Sequence, residues 1–293
     1  MTQFQTLHRS SPWRALFIVI SGMFFSTVLH AAEPNYAENN HLAAGLGIGY
    51  NSSIYQGIDG YAFPAPIFDI KMGNFFAQGL TFGYDFVQSE RVTFAVAATR
   101  GSTFLDAGEV NAEQRDLYLG IEDRDAAFEA GFIYRYRSRV GLVSFEWFKD
   151  VSDAYDGSRG TARLARPIPN DGGMVIVPSL FVKYYTAKFN QYYYGVTKEE
   201  NEAGTRAFLL AKGIDVGTSI PAVSLADFEK VRPQYSPGNS GHYGFDINIR
   251  LPINDQLSLT AYLAFEDITG PAFRSSLVED RKMYTTVIGA LYT

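Results

Sequence analysis

Serine and histidine lie two positions apart at Ser240 and His242, within the stretch Gly-Asn-Ser-Gly-His. A serine nucleophile needs a histidine base beside it and a third group that orients the histidine. The stretch does not follow the Gly-x-Ser-x-Gly pattern of a nucleophile elbow. The first interpretation is therefore a flexible turn that opens a strand, and a hydrolase site is a distant alternative.

Two further stretches carry residue types that bind metal ions or nucleotides in other proteins. In residues 150–157 an aspartate stands at every third position before a glycine, whereas an EF-hand loop needs ligands at alternate positions. In residues 45–49 glycines alternate as in a dinucleotide-binding turn, but they lie inside a strand pattern. We read the first as a solvated acidic loop and the second as strand glycines, and expect neither a metal site nor a bound cofactor.

Seven charged residues alternate with large apolar residues and are the candidate functional side chains. Because strand side chains point alternately to opposite faces, these charged residues lie on the face opposite to the apolar residues. We expect them to face the lumen of a barrel, where they either form a salt-bridged filling or line a pore. The mixed signs favour the filling. The seven residues are Asp85, Glu129, Arg135, Arg137, Glu146, Asp246 and Arg250.

The clearest strand pattern lies at residues 241–266. Large apolar residues occupy every second position from Tyr243 to Leu251 and again from Leu257 to Phe265, and turn residues separate the two runs. The pattern predicts an antiparallel hairpin. Each strand has about ten residues, the length that a tilted strand needs to cross a bilayer.

Similar alternation recurs along the rest of the chain and predicts about eleven strands. Pro64 and Pro66 weaken one of them, because proline donates no hydrogen bond to a ladder. Bacterial single-chain barrels have an even number of strands, so we predict about 12, with 10 as the alternative, and expect the missing strand at residues 192–210. The predicted strands are 42–50, 63–72, 79–86, 92–98, 128–136, 143–148, 161–166, 174–185, 243–251, 257–265 and 284–292.

A soluble sandwich also alternates, so other features must separate it from a membrane barrel. The predicted strands are longer than the five or six residues of ordinary sheets. Aromatic residues lie near strand ends on the apolar face, as in interfacial girdles. The sequence therefore predicts an all-β, transmembrane, antiparallel up-and-down β-barrel. The girdle residues are Tyr50, Tyr84, Tyr136, Phe265, Tyr284 and Tyr292.

Residues 1–32 have the features of a secretory signal peptide. Arg9 and Arg14 precede a short apolar run, and Ala31 and Ala32 provide a small-residue cleavage site. We therefore predict a signal peptide at 1–32 and a barrel domain at 33–293. Removal of the leader lowers the formal net charge from −6 to −8, which disfavours nucleic acid as a partner. The chain has no Cys, so packing and backbone pairing must stabilise it without disulfides.

Several short motifs in order resemble the MipA/OmpV family of MltA-interacting outer-membrane proteins. The most specific is Tyr-Tyr-Tyr-Gly-Val at residues 192–196. Two departures are the Tyr292-Thr293 end, where such barrels commonly end in Phe, and a long segment at 201–240. The other matching pieces lie at residues 44–50, 55–57, 64–70, 74–76, 119–131, 149–152 and 275–278.

The resemblance implies a non-enzymatic outer-membrane scaffold without catalytic residues. The family name reflects a bridging role between a murein lytic transglycosylase and a murein synthase, and these enzymes and the lipid of the outer membrane are the partners it implies. Alternatives are a small-solute channel and an adhesin.

Overall fold

A computed structural model describes residues 40–215, 217 and 220–293. The signal peptide predicted at residues 1–32 lies outside this range. Among the described residues, no helix is both long enough and apolar enough to cross a bilayer.

Strands of one antiparallel sheet make up most of the chain. β8 and β9 pair with the same side of β10 in one continuous register and together form a single barrel strand. β1 pairs with β13 and β10 pairs with β11, so the sheet closes into a barrel of twelve strands, as predicted. The strands are β1 (His41–Asn51), β2 (Tyr61–Met72), β3 (Phe75–Gln78), β4 (Thr81–Gln88), β5 (Val92–Arg100), β6 (Phe128–Arg137), β7 (Leu142–Asp150), β8 (Ser158–Ala165), β9 (Ile168–Pro169), β10 (Val175–Tyr185), β11 (Ser240–Pro252), β12 (Leu257–Ile268) and β13 (Lys282–Tyr292).

The missing strand was expected in the wrong place. Residues 192–210 contain parts of two helices, and the strand that the pattern missed is β3, which has only four residues. The segment between β10 and β11 holds three helices: α1 (Ala187–Tyr194), α2 (Lys198–Ala211) and α3 (Ala222–Val231). Short 3-10 helices lie at Ala107–Glu109, Arg115–Tyr118 and Ala272–Arg274.

The wall turns its apolar face outward. Leu46 and Ile48 on β1 are 73% and 72% exposed, which is the signature of side chains that meet lipid. The inward face of the same strand carries glycine, and a Cβ at Gly49 would occupy the space of the Phe63 ring. Tyrosines flank the apolar band near both ends of the strands, among them Tyr50 and Tyr292.

The two ends of the barrel differ. At one end the strands are joined by turns of two to five residues. At the other they are joined by long connections, except for the two-residue turn between β3 and β4. Outer-membrane barrels have short periplasmic turns and long extracellular loops. The long connections pack on one another over the outer mouth, and we call them the cap. The cap comprises the described residues of 52–60, 101–127, 151–157, 186–239 and 269–281.

Candidate functional site in the lumen and the cap

Asp85 and Arg135 lie in the buried interior near the short-turn end. Asp85 forms an ion pair with Lys71, and both side chains are buried. The Arg135 guanidinium donates to Gln78 Oε1 at 3.2 Å and lies 5.3 Å from the centre of the Phe76 ring. These contacts pair charge with charge and cation with aromatic face inside the barrel.

Glu129 and Asp246 lie in a second group of buried charges. Arg159 donates to Glu129 Oε2 at 2.7 Å, and the Tyr155 hydroxyl donates to Glu129 Oε1 at 2.7 Å. Asp246 is fully buried and forms an ion pair with Arg163. Each carboxylate therefore has a cationic partner, which offsets the cost of removing both from bulk water.

The remaining three predicted residues lie in less buried positions. Glu146 is half-buried and lines a cavity together with Arg159. Arg250 Nη1 is 3.9 Å from Asp69 Oδ2. Arg137 is exposed at the end of β6 beside the short turns. The structure thus does not bring all seven predicted residues together: Glu129 and Glu146 line the cavity, whereas Arg137 lies beside the short turns.

The cavity lies between the charged groups of the wall and the cap. One part of its lining is apolar and includes Tyr262 and Ala264, and another part is charged. Alternation did not select most of the charged lining residues, because the predicted strand at 161–166 covers only part of β8 and residues 174–185 are apolar on both faces. The charged lining residues are Glu129, Glu146, Arg159, Arg163, Lys183 and Glu266.

Ser240 and His242 stand next to each other on the inner face of β11. Ser240 Oγ is 3.4 Å from His242 Nε2, and His242 Nδ1 is 2.9 Å from Glu266 Oε1, which is the order of groups in a hydrolase triad. The Ser240 hydroxyl, however, donates to Asn190 Oδ1 at 3.1 Å, and Glu266 is shared with Lys183. Ser240 and His242 are only 4% and 3% exposed. The arrangement therefore attaches α1 to the wall and buries the serine hydroxyl against Asn190.

The acidic loop after β7 uses its first carboxylate to organise its own backbone. Asp150 accepts hydrogen bonds from the N–H groups of Ser152, Tyr155 and Asp156 at 2.8, 2.6 and 2.9 Å. Asp156 forms an ion pair with Lys188 on α1. Within the described part of the chain, no group of three or more acidic or histidine side chains is arranged to hold a metal ion.

A hydrophobic core fills the cap and draws on all five long connections. Tyrosines bridge them: the Tyr55 hydroxyl donates to the carbonyl of Tyr193, and the Tyr193 hydroxyl to the carbonyl of Asp125. Burial raises the pKa of the Tyr55 and Tyr193 hydroxyls, so both remain protonated donors. The buried core residues of the cap are Ile54, Tyr55, Leu105, Leu117, Tyr118, Ile121, Ala127, Tyr155, Phe189, Tyr193, Tyr194, Val196, Ala272, Leu277 and Val278.

Arg232 fixes the helices of the cap to the loop between β5 and β6. It is fully buried and donates to Asn201 Oδ1 at 3.0 Å, to the carbonyl of Leu117 at 2.7 Å and to the carbonyl of Glu200 at 2.9 Å. Burial lowers the pKa of Arg232 to about 10, and the nearby Glu200 carboxylate opposes this shift. Glu200 also forms an ion pair with Arg124, so this residue of α2 contacts two arginines of the cap, Arg124 and Arg232.

Four arginines lie at the short-turn end on neighbouring strands. The N–H of Arg137 donates to the carbonyl of Arg91 at 2.8 Å, which places the β4–β5 turn beside the end of β6. Arg139 is exposed in the next turn, and Arg166 follows Ala165, which pairs with the first residue of β7. All four side chains are exposed, and we call them the arginine arc.

The comparison with protein families identifies the chain. A family described as MltA-interacting protein MipA matches residues 44–293. The chain belongs to the MipA family. The match spans all but the first three residues of the barrel. It includes the segment at 201–240 that looked long for the family, which lies within the helical connection between β10 and β11.

This MipA-family barrel lies in the outer membrane, the location named for its relative YiaT. Two relatives and one solved structure are similar to the chain. The outer membrane protein YiaT of Escherichia coli (strain K12) is 23% identical over 255 residues, covering 86% of this chain and 91% of that protein. The MltA-interacting protein of Escherichia coli (strain K12) is 24% identical over 165 residues, covering 56% of this chain and 65% of that protein. An anion-selective porin from Comamonas acidovorans has 10% identity and a TM-score of 0.31, with coverage of 88% of this chain and 57% of that one.

Proposed function

We propose that this MipA-family barrel is a non-enzymatic scaffold that holds murein enzymes at the periplasmic face of the outer membrane. The partners proposed are a murein lytic transglycosylase and a murein synthase. The proposal is supported by the name of a relative, the MltA-interacting protein of Escherichia coli. The arginine arc is the observation that carries it in this chain.

The arginine arc stands out against the charge of the rest of the chain. The chain has a net charge of −6, and many exposed carboxylates lie in the cap, such as Glu113, Asp116 and Glu122. Four exposed arginines on adjoining turns therefore concentrate positive charge on one sector of the periplasmic rim, which also exposes Glu90, Asp171 and Asp255. Arg is enriched in protein interfaces and binds carboxylates through two parallel hydrogen bonds. An acidic surface on a periplasmic enzyme would match this rim.

The experiment is a pull-down from crosslinked envelopes with charge-reversed variants. The triple variant Arg91→Glu, Arg139→Glu, Arg166→Glu is expected to lose most of the murein enzymes that the native chain recovers. The matched control, Arg115→Glu, Arg206→Glu, Arg274→Glu, changes three exposed arginines of the cap and is expected to recover them fully. Equal recovery with both triple variants would remove the arginine arc from the proposal, and no recovery of murein enzymes with the native chain would remove the scaffold.

A second candidate function is a small-solute channel, which the charge-lined cavity favours. The paired charges of the lumen and the hydrophobic core of the cap argue against a wide passage. Planar-bilayer recordings separate the two functions. We expect no steady open-pore current, and a steady current that disappears with charge changes at Arg159 or Arg163 would establish the channel instead.

A further inference from the structure

His242 lies where the barrel wall meets the first helix of the cap. Its Nδ1 is 2.9 Å from Glu266 Oε1 on β12, and its Nε2 is 3.4 Å from Ser240 Oγ on the same strand. The ring packs on Tyr185 of β10, with the ring centres 4.6 Å apart. Because His242 is buried, these two oxygens are the partners that decide which ring nitrogens carry hydrogen.

The contacts of Asn190 on α1 fix the direction of the hydrogen bond between Ser240 and His242. Asn190 Nδ2 donates to the carbonyl of Gly238 at 2.7 Å, so its Oδ1 is the atom that faces Ser240 at 3.1 Å. An amide oxygen only accepts, and a serine hydroxyl has a single hydrogen. Ser240 donates this hydrogen to Asn190, and its oxygen therefore accepts from His242. Nε2 of His242 carries a hydrogen.

The second ring nitrogen of His242 faces an ionised carboxylate. Glu266 Oε2 forms an ion pair with Lys183, and Glu266 Oε1 is the partner of His242 Nδ1. An ionised carboxylate only accepts hydrogen bonds, so Nδ1 also carries a hydrogen. A histidine that donates from both nitrogens is the imidazolium cation.

The charges of the lumen lead to the same assignment. Three cations and three carboxylates line the cavity, and Asp246, the buried partner of Arg163, adds a fourth carboxylate. A neutral His242 would leave one negative charge in excess in the barrel interior, where an unpaired charge is costly. As a cation, His242 makes the numbers equal. The titratable groups around His242 on the other elements are Glu266 of β12, Lys183 and Tyr185 of β10, and Tyr194 of α1.

The helix α1, to which this chain of hydrogen bonds leads, covers the lumen cavity. Its residues Phe189 and Tyr193 form part of the cavity lining. Asn190 attaches the helix to the start of β11 through its bonds to Gly238 and Ser240, and the Ala187 N–H donates to Asn239 Oδ1 at 2.7 Å. Of these bonds, the one to Ser240 continues to His242 and Glu266.

We propose that His242, Ser240 and Asn190 form a proton-dependent latch, in which the doubly protonated His242 holds α1 over the lumen cavity. Loss of the Nε2 hydrogen turns this nitrogen into an acceptor, which competes with Asn190 for the single hydrogen of Ser240. The bond to α1 is then weakened, and α1 uncovers the cavity more often. The latch is independent of the scaffold proposed above, since it lies beneath the cap and not at the periplasmic rim.

NMR of the histidine rings tests the protonation of His242. The full chain is labelled with ¹⁵N-histidine in detergent micelles, and the signals of His242 are identified by their loss in His242→Gln. We expect both ring nitrogens of His242 to carry hydrogen at pH 7. A bare Nε2 at pH 7 would overturn the proposal.

Thiol labelling tests the movement of α1, because the chain has no Cys of its own. Thr161→Cys places a thiol on the buried lining of the cavity, and Lys198→Cys places one on the exposed side of α2. The rate of reaction with an uncharged thiol reagent is measured at pH 6 and pH 9. The rate at Thr161→Cys is expressed relative to that at Lys198→Cys at the same pH, which corrects for the ionisation of an exposed thiol.

We expect this ratio to rise about tenfold between pH 6 and pH 9, as for the loss of one hydrogen bond to a charged group. In the His242→Gln background it should already be high at pH 6 and stay constant, whereas the matched control His41→Gln should keep the rise. A constant ratio with the native histidine, or a rise that persists in His242→Gln, would overturn the proposal. If His242→Gln does not fold, as judged by its migration in unheated gels, Ser240→Ala takes its place with the same expectation.

Discussion

Two buried arginines show how differently the wall and the cap are held together. Arg163 on β8 meets Asp246 on β11, and both strands are hydrogen-bonded to β10, which lies between them. Arg232 follows α3 and donates to α2 and to the loop between β5 and β6, which belong to no common sheet. Closure of the barrel therefore brings the first pair together, whereas each contact of the second has to be specified by its own side chain.

The largest expected effect is on the wall. Asp246→Ala leaves the Arg163 charge without its partner, and we expect a loss of about 3–5 kcal/mol in the free energy of unfolding. Urea unfolding in lipid vesicles measures it. The double variant Asp246→Leu, Arg163→Met is expected to recover most of the loss because it removes both charges. An unchanged stability of Asp246→Ala would mean that water in the lumen already screens the arginine.

A smaller and more local effect is expected in the cap. Arg232→Met leaves buried acceptors at Asn201, Leu117 and Glu200 without donors, and we expect a loss of about 3 kcal/mol confined to the cap. Trypsin should then cut within the cap while the urea transition of the wall stays where it was. Arg206→Met, on the exposed side of α2, is the control and should leave both unchanged. A wall destabilised as much as the cap would show that the two parts unfold together.

The N-terminus of α2 provides a finer test of the cap. Thr197 accepts from the Glu200 N–H at 3.1 Å and the Glu200 carboxylate accepts from the Thr197 N–H at 2.8 Å, forming a capping box. Thr197→Ala should cost about 1 kcal/mol. We expect faster hydrogen exchange in α2 and an unchanged exchange rate in the wall. Lys198→Ala, one residue on, is the control, and equal exchange in both variants would contradict the role of the box.

The smallest effect is expected at the exposed pair that joins the loop after β7 to α1. The hydrogen bond and charge of Lys188 lower the pKa of Asp156, and Lys149 adds a weaker effect. Because the pKa of Asp156 is lowered in the folded state, the ion pair stabilises the cap fully at pH values above the usual pKa of an aspartate. This stabilisation is lost as the pH falls through the lowered pKa. Lys188→Gln should raise the pKa of Asp156 in an NMR titration, and Lys149→Gln should raise it less. No difference between the two variants would contradict the assignment.

The wall could be predicted where the period of two is unbroken. The runs at 243–251 and 257–265 correspond to β11 and β12, which extend only a few residues further. β3 escaped because four residues, Phe-Phe-Ala-Gln, are too few to show alternation. Pro64 and Pro66 looked unfavourable for a strand, but both lie within β2 and pair with Ile48 and Leu46 of β1. The helices of the cap were missed because α2 begins with Lys-Glu-Glu-Asn-Glu and shows no clear apolar stripe.

The candidate side chains, too, could be predicted only where a local pattern marks them. Alternation was enough to select Asp85 and Asp246, but their partners Lys71 and Arg163 depend on which strands become neighbours. Arg163 and Asp246 are 83 positions apart in the chain. No local pattern marks Arg232, whose three acceptors come from α2 and from a loop more than a hundred residues earlier.

The core of the cap draws on five connections that leave the barrel at separate points around its rim. Contacts between residues so distant in sequence form slowly, because the entropy of closing each loop is lost before the favourable contacts form. Strand pairing supplies that closure, since it fixes where every connection begins and ends. We therefore expect a fixed order of assembly, in which the strands of the barrel pair first and the core of the cap packs afterwards.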